Sequence, residues 1–298
     1  MDIKPDICST VGNTPLVRIN RVYTKPGVDI LAKLEGFNPM GSVKDRIAVW
    51  MIEKAEQAGE LKKGMTIVES SSGNTGIGLA MVGAAKGYKV LITMAKKASV
   101  ERRQMLTAMG AELVLVDGGS DEAWDKADEI AASDPKKYYR AHQYKSPYNA
   151  LAHYEATGPE LWRQTDGKID WVVITLGTTG TLMGLGQFLK EKNPKIKIAT
   201  VEPTKVNTQQ GLRNIRYQRR PDIFDEAIID WRLETTDEEA YPLARRLATD
   251  EGIFGGISAG SAMAGAIKVA EKLDRGVIVV VIPDRGEKYL STPLYGPK

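Results

Sequence analysis

The sequence predicts an α/β protein with parallel sheets, and three observations carry that prediction. Short apolar runs alternate with helical-period segments along the whole chain. The runs are continuously apolar, as strands buried on both faces require. Turns rich in glycine and hydroxyl residues stand where the runs give way to helices. The expected strands are 30–34, 66–69, 89–94, 112–116, 171–176, 196–201 and 277–282. Between them lie helical stretches near 43–58, 75–87, 99–109, 120–132, 148–164, 180–192, 236–251 and 259–273. No linker rich in Gly, Ser or Pro divides the 298 residues, so two domains would have to pack tightly. The change of texture at Tyr-Lys-Ser-Pro-Tyr (144–148) marks the main crossing between them.

Composition narrows the function. A net charge of +3 without long basic blocks argues against nucleic-acid binding as the main task. No run reaches the ~18 apolar residues of a membrane helix. The first residues lack a signal-peptide pattern, and the single cysteine, Cys8, excludes an intrachain disulfide; both fit a cytoplasmic protein. One cysteine and two histidines, His142 and His153, do not suffice for a structural zinc site, so no metal is expected. Both histidines read as ordinary packed or surface residues.

The stretch 38–46, Asn-Pro-Met-Gly-Ser-Val-Lys-Asp-Arg, is a turn that runs into a helix, with Ser42 as its N-cap. Lys44 then lies in the first helical turn, where the helix dipole is positive and the ammonium loses its proton more easily. A neutral amine is what Schiff-base chemistry needs. Taken alone, Lys44 is a surface lysine just inside a helix.

Two loops qualify as anion cradles at helix N-termini. Glu-Ser-Ser-Ser-Gly-Asn-Thr-Gly (69–76) offers small neutral donors that suit a carboxylate. Gly177-Thr178-Thr179-Gly180-Thr181 lacks a following lysine and suits a compact phosphate monoester. A dinucleotide site is the competing reading, with Glu202 at the end of the next strand, but the G-x-G-x-x-G spacing is missing. Arg213, Arg216, Arg219 and Arg220 form the densest basic cluster: a solvated loop, or a grip on an anionic substrate. Ser258 opens the last helix as a cap or as a ligand hydroxyl.

A phosphate cradle, a carboxylate cradle and a lysine able to shed its proton together suit pyridoxal phosphate acting on an amino acid. On the stretches 12–16, 38–46, 72–78, 177–181, 256–260 and 289–292, the chain resembles the cysteine synthases, which are fold-type II pyridoxal-phosphate enzymes. The Gly-Thr-Thr-Gly-Thr and Gly-Leu-Arg-Asn segments resemble the cysteine synthase B branch, which includes users of O-phosphoserine. Ser70-Ser71 stands where the family commonly has Pro-Thr.

The resemblance implies two α/β domains, each with a central mostly parallel sheet, and the cofactor between them. Residues 1–12 and 35–145 would form the smaller, mobile domain, and 13–34 and 146–298 the larger. Lys44 would hold the cofactor and serve as catalytic base. Asn74 would bind the ring hydroxyl, and Gly177, Thr178, Thr179, Gly180 and Thr181 the phosphate. Ser258 would face the pyridine nitrogen, and a neutral serine there leaves the ring largely unprotonated. Ser71, Ser72, Thr75 and Gln143 would take the substrate carboxylate, and Arg213 an anionic leaving group. The implied reaction makes L-cysteine from O-acetylserine or O-phosphoserine and sulfide, or S-sulfocysteine with thiosulfate, in a homodimer. Three alternatives stay open: cystathionine β-synthase-type chemistry with homocysteine, a nucleotide-dependent oxidoreductase, and a non-catalytic binding scaffold of the same fold.

Overall fold

The computed structural model describes residues 1, 3–71 and 73–296, whose strands form two sheets. The larger sheet has the order β1 (Leu16–Arg18), β2 (Val28–Leu34), β10 (Gly276–Ile282), β7 (Trp171–Thr175), β8 (Lys197–Pro203), β9 (Trp231–Thr235). Only β1 is antiparallel, to β2, among the described residues. The smaller sheet, β5 (Glu112–Val116), β4 (Lys89–Ala95), β3 (Thr66–Ser70), β6 (Tyr138–Arg140), is parallel throughout.

All seven expected strands form, with ends shifted by at most two residues. β1, β6 and β9 escaped sequence reading because they are short sheet-edge strands with exposed or half-buried positions, so no apolar run marks them. β10 shows why the inner strands are apolar on both sides. Ile278, Val280 and Ile282 pack with Ala262 and Met263 of helix α9 (Ile257–Glu271). Val279 and Val281 pack oppositely, with Leu182, Leu185 and Leu189 of α7 (Gly180–Lys192). Helices α1 (Lys44–Gln57), α2 (Asn74–Lys86), α3 (Val100–Ala108) and α4 (Ser120–Ser133) accompany the smaller sheet, and α8 (Asp237–Glu251) packs on α9.

The expected helix 148–164 is a composite. It runs as α5 (Pro147–Ala152), a π-helical turn His153–Thr157, and α6 (Gly158–Gln164). Such wide turns gather at functional sites, and this one carries His153 to within 3.2 Å of Thr181 in the Gly-Thr loop.

A buried ionic network fastens α1 to the N-terminal segment and to α6. Arg46 donates to Glu35 (2.7 and 2.9 Å) and Glu160 (2.7 and 2.8 Å). Lys33 Nζ reaches Glu160 at 3.0 Å and the Thr14 carbonyl at 2.8 Å. All five residues are buried. The pairing holds both acids below the usual carboxylate range, Glu160 at about 2.

Candidate active site

Helices α1, α2, α7 and α9 bring their first turns to one cleft at the C-terminal ends of the two sheets, where open α/β folds bind ligands. The cleft holds a cavity of about 580 Å³ bordered by Lys44, Ser71, Thr75, Gln143, Thr178 and Arg213. A pocket of about 50 Å³ adjoins it, with Lys44, Asn74, Thr181, Ser258 and Asp284 in its wall.

Lys44 is the first residue of α1, and the N-cap is Val43, not Ser42. Ser42 still serves the helix end, because its Oγ accepts the Lys44 N–H at 3.2 Å. The Lys44 ammonium is held down to about 8 chiefly by burial, against the pull of the Asp284 and Glu35 carboxylates. Burial thus leads where the sequence suggested the helix dipole.

Ser71, Thr75 and Gln143 meet at the N-terminus of α2. Ser71 Oγ accepts from the N–H groups of Gly73 and Gly76, both at 3.1 Å. Thr75 Oγ1 donates to Gln143 Oε1 at 2.6 Å, and Gln143 Nε2 to the Ser70 carbonyl at 2.5 Å. The Ser70-Ser71 turn is braced by Glu69, which accepts from Ser70 N (2.8 Å), Gln143 N (3.0 Å) and Arg140 Nη1 (2.5 Å). Ser72 lies outside the described residues.

In the second cradle, Gly177, Thr178 and Thr181 border the two cavities, while Thr179 and Gly180 form the turn behind them. Thr179 takes a left-handed conformation at φ 69°, which turns the chain into α7. Asn149 Nδ2 donates to Thr178 Oγ1 at 2.9 Å. At Gly180 a Cβ would sit 1.8 Å from Asn149 Oδ1, so no side chain fits there. Thr179 Oγ1, Asn149 Oδ1 and Asn74 Oδ1 are buried without a hydrogen-bond partner; of the three residues only Asn74 borders the cavities, where a bound polar ligand relieves the shortage.

Sequence reading missed Asp284. It lies just past the end of β10, is buried, and accepts from Asn74 Nδ2 (2.8 Å), Tyr289 Oη (2.6 Å) and Ser258 Oγ (3.3 Å). The signal was its place at the C-terminal end of a parallel strand. Arg102 was missed too. It is buried, lies over the Tyr289 ring at 4.6 Å, donates to Gln210 at 2.7 Å, and borders the cavity. His153 is packed as expected, and its burial drops its pKa to about 3, so it is neutral against Thr181.

The basic cluster divides. Arg213 borders the cavity, but its guanidinium is already tied to Asp121 (3.3 Å), Ser120 (3.1 Å) and the Arg219 carbonyl (2.8 Å). Arg216, Arg219 and Arg220 are exposed. Lys44, Lys97, Arg102 and Lys205 join Arg213 around the cavity, and none of the described residues bordering it is acidic. Glu202 faces Arg232 (3.1 Å) and the Ile215 N–H (3.1 Å) instead of a ligand, which removes the support for a dinucleotide site.

Comparison with known proteins agrees with this geometry. The family model described as pyridoxal-phosphate dependent enzyme matches residues 7–284. The chain is similar to cysteine synthase B of Pseudomonas aeruginosa, at 43% identity over 99% of this chain and 98% of that protein. It is also 43% identical to cysteine synthase B of Escherichia coli, over 96% of this chain and 95% of the relative. Among solved structures, a cysteine synthase from Entamoeba histolytica superposes with a TM-score of 0.93 at 40% identity, covering 99% of this chain and 92% of that one.

Proposed function

The chain belongs to the pyridoxal-phosphate dependent enzymes, within them to the cysteine synthases, and from that membership we propose how its residues divide the work. The reaction is β-replacement, in which an activated serine and sulfide give L-cysteine. One observation carries the reading. A lysine with its pKa lowered to about 8 stands in one cleft with two hydroxyl-rich helix N-termini and the buried, unpartnered amide oxygen of Asn74.

That arrangement fits pyridoxal phosphate. Gly177, Thr178, Thr179, Gly180 and Thr181 hold its phosphate, with the hydroxyls and first N–H groups of α7 as donors. Asn74 holds the ring hydroxyl through the oxygen that lacks a partner, and Ser258 faces the ring nitrogen. When bound, the cofactor supplies an electron sink that acidifies the substrate Cα–H and lets the β-substituent leave. Lys44 would anchor the cofactor, and its Nζ would take the substrate Cα proton. Ser71, Ser72 and Thr75, with Gln143, orient the substrate carboxylate. The excess of cations around the cavity supports an anionic leaving group or sulfur donor, O-phosphoserine beside O-acetylserine and thiosulfate beside sulfide. Residues 1–12 and 35–145 close as a unit against 13–34 and 146–298. The enzyme works as a homodimer in the cytoplasm, a compartment supported by the single buried cysteine.

The test supplies the purified protein with cofactor, sulfide and either O-acetylserine or O-phosphoserine. L-Cysteine appears with both, and Lys44→Ala abolishes turnover together with the visible absorbance of the bound cofactor. Arg213→Ala lowers kcat/KM for O-phosphoserine more than for O-acetylserine. An unchanged ratio removes Arg213 from leaving-group recognition, and cystathionine from homocysteine as the main product overturns the reading.

A further inference from the structure

Five lysines and arginines are buried among the described residues: Lys33, Arg46, Arg102, Arg213 and Lys288. A buried cation weighs heavily against the fold unless an anion and hydrogen bonds compensate it. Lys33 and Arg46 share Glu160, and Arg213 faces Asp121. Lys288 donates to the Met40 and Gly41 carbonyls at 2.8 and 3.0 Å and lies in the field of Asp284 and Asp45. Arg102 differs from all four. It is 1% exposed, none of the described carboxylates forms an ion pair with it, and its Nε is buried without a hydrogen-bond partner. Its contacts are neutral: the Tyr289 ring, 4.6 Å from its Cζ, and Gln210 Oε1, 2.7 Å from its Nη1.

The place of this charge indicates the anion that would balance it. Arg102 belongs to the first turn of α3 and borders the large cavity together with Ser71, Thr75 and Gln143. Its side chain lies against the turn into α2, so closely that a Cβ on Gly73 would sit 2.4 Å from its Cδ and 2.8 Å from its Nε. That turn offers hydroxyl and backbone N–H donors, which orient a carboxylate without neutralising it. We propose that Arg102 is a specificity-determining residue: it supplies the positive charge behind the hydroxyl cradle, and so makes the enzyme select free amino acids over their neutral derivatives. This rests on the assignment of Ser71, Thr75 and Gln143 to the substrate carboxylate made above. The uncharged partners, Tyr289 and Gln210, hold the guanidinium at the turn without cancelling its charge.

The test gives the holoenzyme sulfide and compares kcat/KM for O-acetyl-L-serine with that for its carboxamide, O-acetyl-L-serinamide. Wild type is expected to favour the carboxylate. Arg102→Met should lower that preference by about 10- to 100-fold, the worth of a hydrogen bond to a charged group. Arg102→Gln, equally neutral and still able to bond Gln210, should do the same and decides the matter if Arg102→Met does not fold. Arg102→Lys, which keeps the charge, should restore most of the preference. A merely structural role lowers both substrates alike, and an unchanged ratio in the neutral variants overturns the proposal. A loss that instead follows the leaving group, larger for O-phosphoserine than for O-acetylserine with the carboxylate preference intact, overturns it as well. A wild type that does not distinguish carboxylate from carboxamide overturns the underlying assignment of the cradle.

Discussion

A lysine that must be both anchor and base needs its neutral form, and at Lys44 burial supplies it. The sign gives a prediction. The fold disfavours the charged amine, so between about 8 and the usual 10.5 the unfolded chain binds more protons than the folded one. In the cofactor-free protein this group therefore adds stability as pH rises through that window, and disfavours the fold below it. The rate of cofactor attachment should rise with pH to a midpoint near 8. A midpoint near 10.5, followed by the growth of the visible band, would refute the assignment. Lys44 and the Gly-Thr loop were legible in the sequence because their chemistry sits in a few consecutive residues. Asp284 was not, because what makes it informative is contact with Ser258 and Asn74, 26 and 210 residues away. Arg213 was legible as a cation but its ties were not, since its partner Asp121 lies in a helix 92 residues earlier.

At the scale of elements, what positions the phosphate cradle is how closely α7 approaches α5. Gly180 rests on Asn149, and Gly184 lies against the Ala150 carbonyl, where a Cβ would sit 1.9 Å away. Gly180→Ala should cost about 1–3 kcal/mol of stability, the usual range for overpacking. It should also weaken cofactor binding, because the displaced Asn149 no longer holds Thr178. Thermal melts and a cofactor titration measure both effects; unchanged cofactor affinity would mean that Asn149 does not support the loop. The inner strands were readable because burial on both faces imprints an apolar run. The π turn was not, since the contact that accompanies it, His153 with Thr181, lies 28 residues away and no local pattern records it.

At the scale of the molecule, the Glu35–Arg46–Glu160–Lys33 network ties α1 to β2 and α6. Replacing Arg46 by Met should destabilise by about 3–5 kcal/mol, because it leaves two buried carboxylates without their main partner. The depressed carboxylates contribute stability above the unfolded value of 4.5, and that contribution is lost as pH falls toward about 2. Acid unfolding curves of wild type and Arg46→Met should therefore converge at low pH. Parallel curves down to pH 2 would show that the network contributes nothing to acid resistance.

β10, the strand between β2 and β7, also bears on synthesis. The smaller sheet is complete once β6 has left the ribosome, whereas β2 must wait for a partner that follows it by most of the chain. At ordinary elongation speeds that wait is roughly 10–50 s. Throughout it, the inner edges of β2 and β7 stay open to any other strand in reach. A nascent chain of this enzyme is thus half a folded protein and half a client for chaperones, and an interruption of translation before β10 leaves the hazard in place.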